Sequence, residues 1–418
     1  MQKAPHCRTA IMALATSIFV QSALVSSSVA GQCFPTLPKA TWTNPYASWS
    51  HGLSADPNYF PIAVWLQGPW HAAEMASLGI NLYVGNNINS DPLAVGDLAT
   101  LKNHGISAII GQDSIGLSHV NDRTVVGWWM DPDEPDNAQP GRLFGHSAPV
   151  APSTIAGKYD SSKRADPSRP ILLGLGQGVA YDNWEGRGSN PPPESSYVPH
   201  ADIVSFDVYP YNACGGNENR RAICGQFWLN ALGVDRLHRW SEHNQAVWTW
   251  IETTAMDGVH GPTPAQIPSE AWLSLIHGAN GIGYFVDVFS PSFREDGVFA
   301  SPNTVKAVTS LNAQIKMLAP QLNSVSIPGL VSVTSSNPAA PIDYMVKTDG
   351  SALFIFAAIA RWGTATATFS VRGTSDRISA QVLHENRSVS IRSGDFSDYF
   401  PANAVHIYKI DSAAFSCN

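Results

Sequence analysis

The sequence lacks the features that several common classes of protein require. It has no basic run, only 14% of its 418 residues are charged, and its formal net charge is −8. An acidic chain of this kind is a poor partner for nucleic acid or anionic membranes, and it also disfavours a polyanionic ligand. Internal repeats and long low-complexity tracts are absent as well.

The chain also lacks an uninterrupted apolar run long enough to anchor it in a membrane. The segment Ala10–Val25 is mostly apolar, but polar residues at positions 16, 17, 21 and 22 interrupt it, whereas a spanning helix needs about 20 apolar residues. It follows a basic start and precedes the small residues Ser28–Ala30. This layout predicts a signal peptide over residues 1–30, a secreted protein (extracellular or periplasmic), and no membrane association after cleavage.

Cysteine is scarce, with five residues in all. Cys7 leaves with the signal peptide, and an even number in an oxidising compartment predicts two disulfides. The most economical pairing joins Cys214 to Cys224 and Cys33 to Cys417, although the sequence does not determine the pairing. A metal site is the alternative, but the spacings match no zinc motif.

Apolar runs of about six to eight residues alternate with helical stretches between residues 60 and 325. Eight runs are expected to be buried parallel strands: Phe60–Gln67, Ile80–Gly85, Ala108–Asp113, Val125–Met130, Ile171–Gly176, Ile203–Tyr209, Ala246–Glu252 and Ile282–Val288. The pattern predicts an α/β fold, a (β/α)₈ TIM barrel over residues 31–325. A doubly wound sheet is the second choice, because Gln67–Trp70 is not the Gly-rich phosphate turn typical of that fold.

The pattern changes after residue 325, where β-branched runs alternate and turns such as Asp349-Gly350 separate them. Residues 326–418 are therefore expected to form an antiparallel all-β sandwich. Packing against the barrel is the favoured role of this domain. Carbohydrate binding is the alternative, although Trp362 is the only tryptophan there.

Glutamate is less abundant than aspartate, with ten residues in the chain. Two of the ten stand where an apolar strand ends. Glu134 follows the fourth run in Gly-Trp-Trp-Met-Asp-Pro-Asp-Glu-Pro, and Glu252 ends the seventh in Val-Trp-Thr-Trp-Ile-Glu. Loops after the strands of a barrel all open at one mouth. Two carboxyl groups at that mouth are what glycosidic bond cleavage requires.

These segments resemble the clan A retaining glycoside hydrolases over about residues 55–290. Val204–Pro210 resembles their sixth strand, Gly278–Phe285 their eighth, and Phe60–Trp65 their first. The resemblance implies a (β/α)₈ enzyme with Glu134 as acid/base and Glu252 as nucleophile, held by the hydroxyl of Tyr209. Two departures leave the family within the clan unassigned: Asp133 stands where the clan has Asn, and the tryptophan that usually ends strand eight is missing.

Both glutamates have simpler interpretations. The acidic segment Asp131–Asp136 could be a solvated surface turn or a calcium site built from carboxylates. Glu252 could be a buried ion-pair partner. Trp248 and Trp250 flank it on one side of the strand, which favours a sugar site.

Further side chains at strand ends are candidates for binding sugar hydroxyl groups or stacking on pyranose rings. They are Gln67, Asn86, Gln112, Asp133, Asp207, Tyr209, Asp287, Trp65 and Trp250.

Taken together, the sequence predicts a secreted retaining glycosidase that acts on neutral poly- or oligosaccharides without a metal or organic cofactor. A non-catalytic sugar-binding protein on a barrel scaffold and an inverting glycosidase are the alternatives. The sugar, the linkage, endo or exo action and the oligomeric state stay open.

Overall fold

The structure is a computed structural model, and it describes residue 37 and residues 43–85, 95–141, 145–242, 245–375 and 377–415. The predicted signal peptide, Cys33, Asn86 and Cys417 lie outside the described residues.

Eight parallel strands close into a barrel in the order β1 to β8, with β1 hydrogen-bonded to β8. They are β1 (Ile62–Trp65), β2 (Leu82–Val84), β3 (Ser107–Gly111), β4 (Val125–Trp129), β5 (Ile171–Leu175), β6 (Ile203–Asp207), β7 (Ala246–Glu252) and β8 (Gly281–Phe285). Each lies within or next to one of the eight apolar runs. The predicted (β/α)₈ barrel is therefore confirmed.

Helices connect most of the strands. They are α1 (Ala72–Ser77), α2 (Val95–Asn103), α3 (Ser114–Ser118), α4 (Pro152–Ala165), α5 (Glu218–Arg221), α6 (Trp228–Trp240), α7 (Gln266–Ile276), α8 (Pro302–Met317) and α9 (Ala319–Leu322). The crossover from β3 to β4 has only the short α3. In the crossover from β5 to β6, where every residue is described, all helical turns are 3₁₀.

Side chains alternate between two cores along the strands. Trp248 of β7 points into the barrel, where its indole donates to the Tyr46 hydroxyl at 2.7 Å. Val247 and Ile251 point outward and pack under the helices. This period of two is what a strand buried on both faces produces.

The strands that follow the barrel, from Val325 onward, form two antiparallel sheets. The three-stranded sheet has the order β10 (Val331–Ser335), β13 (Ala365–Val371), β16 (Asp395–Phe400). The six-stranded sheet has the order β15 (Arg387–Ile391), β14 (Ile378–Val382), β17 (Val405–Asp411), β12 (Ala352–Ile359), β11 (Ile342–Thr348), β9 (Val325–Ser326). Phe369, Phe396 and Tyr408 pack between them, so the predicted sandwich is confirmed.

The sandwich packs against the barrel through β12, which is buried along its whole length. Phe356 of β12 stacks on Trp272 of α7, with ring centroids 5.8 Å apart. His277 bridges the two parts by contacts to Asp235 at 2.9 Å and Asp343 at 3.0 Å. Although burial opposes its charge, these two carboxylates raise the pKa of His277 to about 9.

Trp362 lies at the same junction. Its indole donates to the carbonyl of Gly225 at 2.9 Å, and its ring contacts Trp228 of α6. These contacts favour the packing role over the sugar-binding role, although 58% of its surface is exposed. None of the helices among the described residues is both long and apolar enough to cross a membrane.

Candidate active site

A cavity of about 200 Å³ opens at the carboxyl ends of the barrel strands. It is lined by Trp65, Asp133, Glu134, Gly174, Leu175, Asp207, Tyr209, Trp250 and Phe285. A larger groove of about 860 Å³ lies beside it, between the ends of β3 and β4 and one face of α4. We place the site in the smaller cavity, because that is where carboxyl groups and aromatic rings converge.

Glu134 has an unusual backbone conformation. Its φ is 46°, in the left-handed region that a residue with a side chain rarely adopts. The backbone is fixed from both sides, because Glu134 N–H donates to the carbonyl of Gly174 at 3.2 Å and Asn137 N–H donates to the Glu134 carbonyl at 3.0 Å. Such strain costs on the order of 1–3 kcal/mol and persists chiefly where function requires it.

The carboxyl group of Glu134 is held by a short chain of hydrogen bonds. The Asn137 amide donates to it at 2.6 Å, and the Trp184 indole donates to the Asn137 amide oxygen at 3.0 Å. Burial, followed by the negative charge of Asp207, raises the pKa of Glu134 well above its ordinary value. Glu134 therefore keeps its proton to a higher pH than an exposed glutamate does.

Asp207, the last residue of β6, is the partner of Glu134. Their carboxyl groups are in hydrogen-bond contact, which requires one shared proton. Burial raises the pKa of Asp207 to about 6, while the contacts with Glu134 and the Tyr209 hydroxyl limit the rise. Two carboxyl groups that share a proton behave as a coupled pair, one neutral and one ionised.

The other acids of the segment Asp131–Asp136 differ in environment. Asp133 lines the cavity, and a Cβ on Gly174 would lie 2.5 Å from its carboxylate, so a side chain at position 174 would displace Asp133. Burial, then the charges of Glu134 and Asp136, raise the pKa of Asp133. Asp136 is fully buried and accepts the Gly176 N–H at 2.9 Å. The segment is therefore not the solvated turn that was one alternative.

Aromatic rings form the wall of the cavity. Trp65 contacts Trp250 edge-on at 4.9 Å and Trp129 at 5.4 Å. The Trp250 indole donates to the Ser205 hydroxyl at 3.2 Å. Trp128, the neighbour of Trp129, is fully buried on the outer side of β4, as expected of adjacent strand residues.

Glu252 lies elsewhere. It ends β7 as expected, but its side chain is fully buried and it does not line the cavity. Its carboxylate accepts the Tyr211 N–H at 2.7 Å and, from Asn212, the backbone N–H at 2.8 Å and the amide at 2.6 Å. The structure therefore does not bring Glu252 together with Glu134, and the Tyr209 hydroxyl lies beside Asp207 instead. Glu252 anchors the loop that follows β6.

A second buried carboxyl group explains why Glu252 is no simple ion-pair partner either. Glu270 of α7 is fully buried beside it. Burial, then the charge of Glu252, raise the pKa of Glu270 well above its ordinary value, which favours the neutral form of Glu270. Three donors favour the ionised form of Glu252, although burial raises its pKa to about 7.

Three other predicted binding residues lie away from the cavity. Gln67 and Asp287 are buried and bonded to each other at 2.9 Å, beyond the ends of β1 and β8. Gln112 lines the larger groove and donates to the Ser162 carbonyl at 3.1 Å. The cavity thus contains five of the nine predicted binding residues: Trp65, Asp133, Asp207, Tyr209 and Trp250.

Sequence reasoning missed Asn137, Trp184 and Gly174. Asn137 stands three residues after Glu134, the spacing at which a side chain in a tight turn folds back, and that spacing was the available signal. Trp184 and Gly174 come from remote segments, and only the fold brings them to the site.

The predicted disulfide between Cys214 and Cys224 is present. It closes the loop that follows Asn212, on the same side of the barrel as the cavity. Among the described residues, no group of three or more His, Cys, Asp or Glu is arranged to hold a metal ion.

No protein-family model matches the sequence, and no curated protein matches it at a significant level. Solved structures do match. AmyB, a noncanonic maltogenic alpha-amylase from Thermotoga neapolitana, is 8% identical with a TM-score of 0.50, over 85% of this chain and 99% of that one. AmyP in complex with maltose is 10% identical with a TM-score of 0.51, over 85% and 97%. At such identities the similarity establishes the fold.

Proposed function

We propose that this protein is a secreted glycoside hydrolase in which Glu134 is the acid/base and Asp207 is the second carboxyl group. The observation that carries the proposal is the contact between these two carboxyl groups in a cavity walled by aromatic rings. Aromatic faces suit the apolar faces of sugar rings, and a proton-sharing carboxyl pair is the equipment for cleaving a glycosidic bond. The disulfide and the leader of the sequence support secretion.

The mechanism follows from where the shared proton lies. The neutral Glu134 donates it to the glycosidic oxygen as the bond to the anomeric carbon breaks, and Asp207 is left ionised. Asp207 then attacks the anomeric carbon and forms a glycosyl ester. In the second step the Glu134 carboxylate removes a proton from water, the water oxygen attacks the anomeric carbon, and the ester bond to Asp207 breaks. The chain from Trp184 through Asn137 keeps Glu134 in line for both steps.

The spacing of the pair favours retention of anomeric configuration. Retaining enzymes place the two carboxyl groups about 5–5.5 Å apart, and inverting enzymes about 6.5–9.5 Å apart to admit a water. Carboxyl groups close enough to share a proton are nearer to the retaining spacing than to the inverting one. The inverting alternative would need the pair to separate further before catalysis.

The charge in the cavity also bears on the substrate. Asp207, the ionised member of the pair, repels an anionic sugar, which supports a neutral poly- or oligosaccharide. The volume of about 200 Å³ is below the roughly 300–1,000 Å³ of common ligand pockets, so it suits a single sugar ring. A non-catalytic sugar-binding protein is the second candidate, but binding alone does not require buried acids and a strained Glu134.

The test is a screen of the purified protein against 4-nitrophenyl glycosides and neutral oligosaccharides, with proton NMR of the first anomer released. Hydrolysis with retained configuration is expected. Release of the opposite anomer contradicts the double displacement, and sugar binding without turnover of any substrate favours the second candidate.

The pH dependence of kcat/KM is a further prediction. Activity requires Asp207 ionised and Glu134 protonated. Since the pKa of Asp207 is raised to about 6, kcat/KM is expected to fall tenfold per unit as the pH drops below about 6. It falls again at higher pH, when Glu134 loses its proton. Initial rates from pH 4 to 9 check this bell shape.

Asp131→Asn is the control for the pH profile, because Asp131 is exposed and lies outside the cavity. It should leave both limbs in place. An acidic limb near pH 4, the value of an ordinary exposed carboxyl group, would contradict the buried pair.

A further inference from the structure

A row of phenylalanine rings leads from the cavity to the protein surface. Phe285 lines the cavity beside Tyr209, with ring centroids 5.4 Å apart. Phe289 follows at 5.9 Å from Phe285, and Phe293 at 6.0 Å from Phe289. We call Phe285, Phe289 and Phe293 the phenylalanine row.

The outer two rings are exposed to an unusual degree. Half of Phe289 (50%) and of Phe293 (48%) is accessible to solvent, even though the two rings stack on each other. Val259, on the loop after β7, is 76% exposed. Adjacent exposed apolar side chains on a soluble protein commonly mark a binding surface.

The backbone holds the phenylalanine row in place. Phe289 and Phe293 lie just inside a small hairpin closed by the pair Val288 and Arg294, with N–H to carbonyl distances of 2.9 and 2.8 Å. The hairpin is tied to the loop after β7, because Phe289 N–H donates to the Met256 carbonyl at 2.8 Å. A surface fixed in this way loses little entropy when it binds a ligand.

The chemistry of the row differs from that of the cavity. The cavity wall offers Trp65, Trp250 and Tyr209, whose rings carry polar groups and suit a sugar. The phenylalanine row presents rings without an N–H or O–H to meet hydroxyl groups. The row is continuous with the cavity through Phe285, so a group attached to the sugar in the cavity can reach it.

We infer that the phenylalanine row binds an apolar aglycone, an alkyl or aryl group joined to the sugar held in the cavity. This inference rests on the proposed function and names the substrate class: glycosides with an apolar aglycone. The aglycone covers the half of each of the two outer rings that now faces water.

The experiment compares methyl, butyl and octyl glycosides of the sugar that the screen identifies. For the wild type, kcat/KM is expected to rise by at least about tenfold from methyl to octyl, since each fully buried methylene contributes roughly a fourfold gain. The double variant Phe289→Ala/Phe293→Ala should lose most of this gain and keep the methyl glycoside rate. Because both rings are half exposed, the variant should fold, and its melting temperature checks this.

Tyr399→Ala is the matched control, since it removes an aromatic ring that is 56% exposed on β16 of the sandwich. It should leave the chain-length dependence unchanged. Equal rates for all chain lengths in the wild type would overturn the inference, and so would an equal loss on the methyl glycoside in the double variant. If kcat/KM instead rose with the length of an oligosaccharide, the phenylalanine row would bind sugar rings and the inference would be wrong.

Binding separates this inference from the proposed function. Calorimetry with methyl glucoside, and with octyl glucoside below its critical micelle concentration, measures the affinity of the phenylalanine row for an alkyl group independently of catalysis. If no glycoside is hydrolysed, the proposed function fails. Tighter binding of octyl glucoside that disappears in the double variant then still supports the row, and equal weak binding of both glucosides rejects it.

Discussion

Glu134→Gln is expected to lower kcat/KM for glycosides with poor leaving groups by roughly 10²–10⁴-fold, the usual contribution of a positioned general acid. The amide keeps the shape of the side chain but has no acidic proton to give. Glycosides with good leaving groups, such as 2,4-dinitrophenyl glycosides, need no proton, so formation of their glycosyl ester should be largely spared. Burst kinetics with both substrate classes measure the difference.

Asp131→Asn is again the matched control for Glu134→Gln. It removes a carboxylate three residues earlier in the same segment, at an exposed position whose partner is Lys158. It should leave kcat/KM within about twofold. Equal losses on both substrate classes in Glu134→Gln would show that Glu134 is not the proton donor.

Asp207→Ala is expected to lower kcat by roughly 10⁴–10⁶-fold on both substrate classes, as removal of an enzyme nucleophile does. Among the acids that line the cavity, only Asp207 is hydrogen-bonded to the Glu134 carboxyl group. Kinetics on the folded variant, with its melting temperature measured in parallel, check this result.

Glu252→Gln separates the two interpretations of strand seven. Glutamine cannot accept all three hydrogen bonds of the carboxylate without placing its own NH₂ group against a donor. We therefore expect a loss of stability, on the order of 1–3 kcal/mol, and a much smaller loss of kcat per folded molecule than in Asp207→Ala. A large loss of kcat in a variant of unchanged stability would show that Glu252 takes part in the reaction.

The barrel could be predicted from the sequence because its strands are buried on both faces. Apolar runs such as Ile203–Tyr209 are typical of a parallel sheet covered by helices on its faces. The count of eight such runs predicts a sheet that closes into a barrel. The sandwich has a weaker sequence signal. Its strands Arg387–Ile391 and Asp395–Phe400 are rich in polar residues, because they are buried on one face at most.

The site could be predicted only in part, and the two strand-end glutamates show why. Beyond the end of a strand, side chains no longer alternate between the two faces of the sheet. The direction of a side chain there depends on the hydrogen-bond partners nearest to it. For Glu134 these are Asn137 and the carboxyl group of Asp207. For Glu252 they are the N–H groups of Tyr211 and Asn212, which the following loop turns toward it. Nothing local in Trp-Ile-Glu-Thr reveals that loop.

Asp207 was predicted as a binding residue and not as the partner of Glu134. It ends β6 just as Glu252 ends β7. What distinguishes the two carboxylates is their surroundings: Asp207 faces the cavity, whereas Glu252 is enclosed by protein. Only three-dimensional structure carries that information.

Azide rescue of two matched variants tests the central claim most directly. In Asp207→Ala a small anion can enter the vacated space and attack the anomeric carbon while Glu134 protonates the leaving group. The account predicts restored turnover and a glycosyl azide of inverted anomeric configuration with Asp207→Ala, and neither with Glu252→Ala. Rescue of Glu252→Ala but not of Asp207→Ala would contradict it.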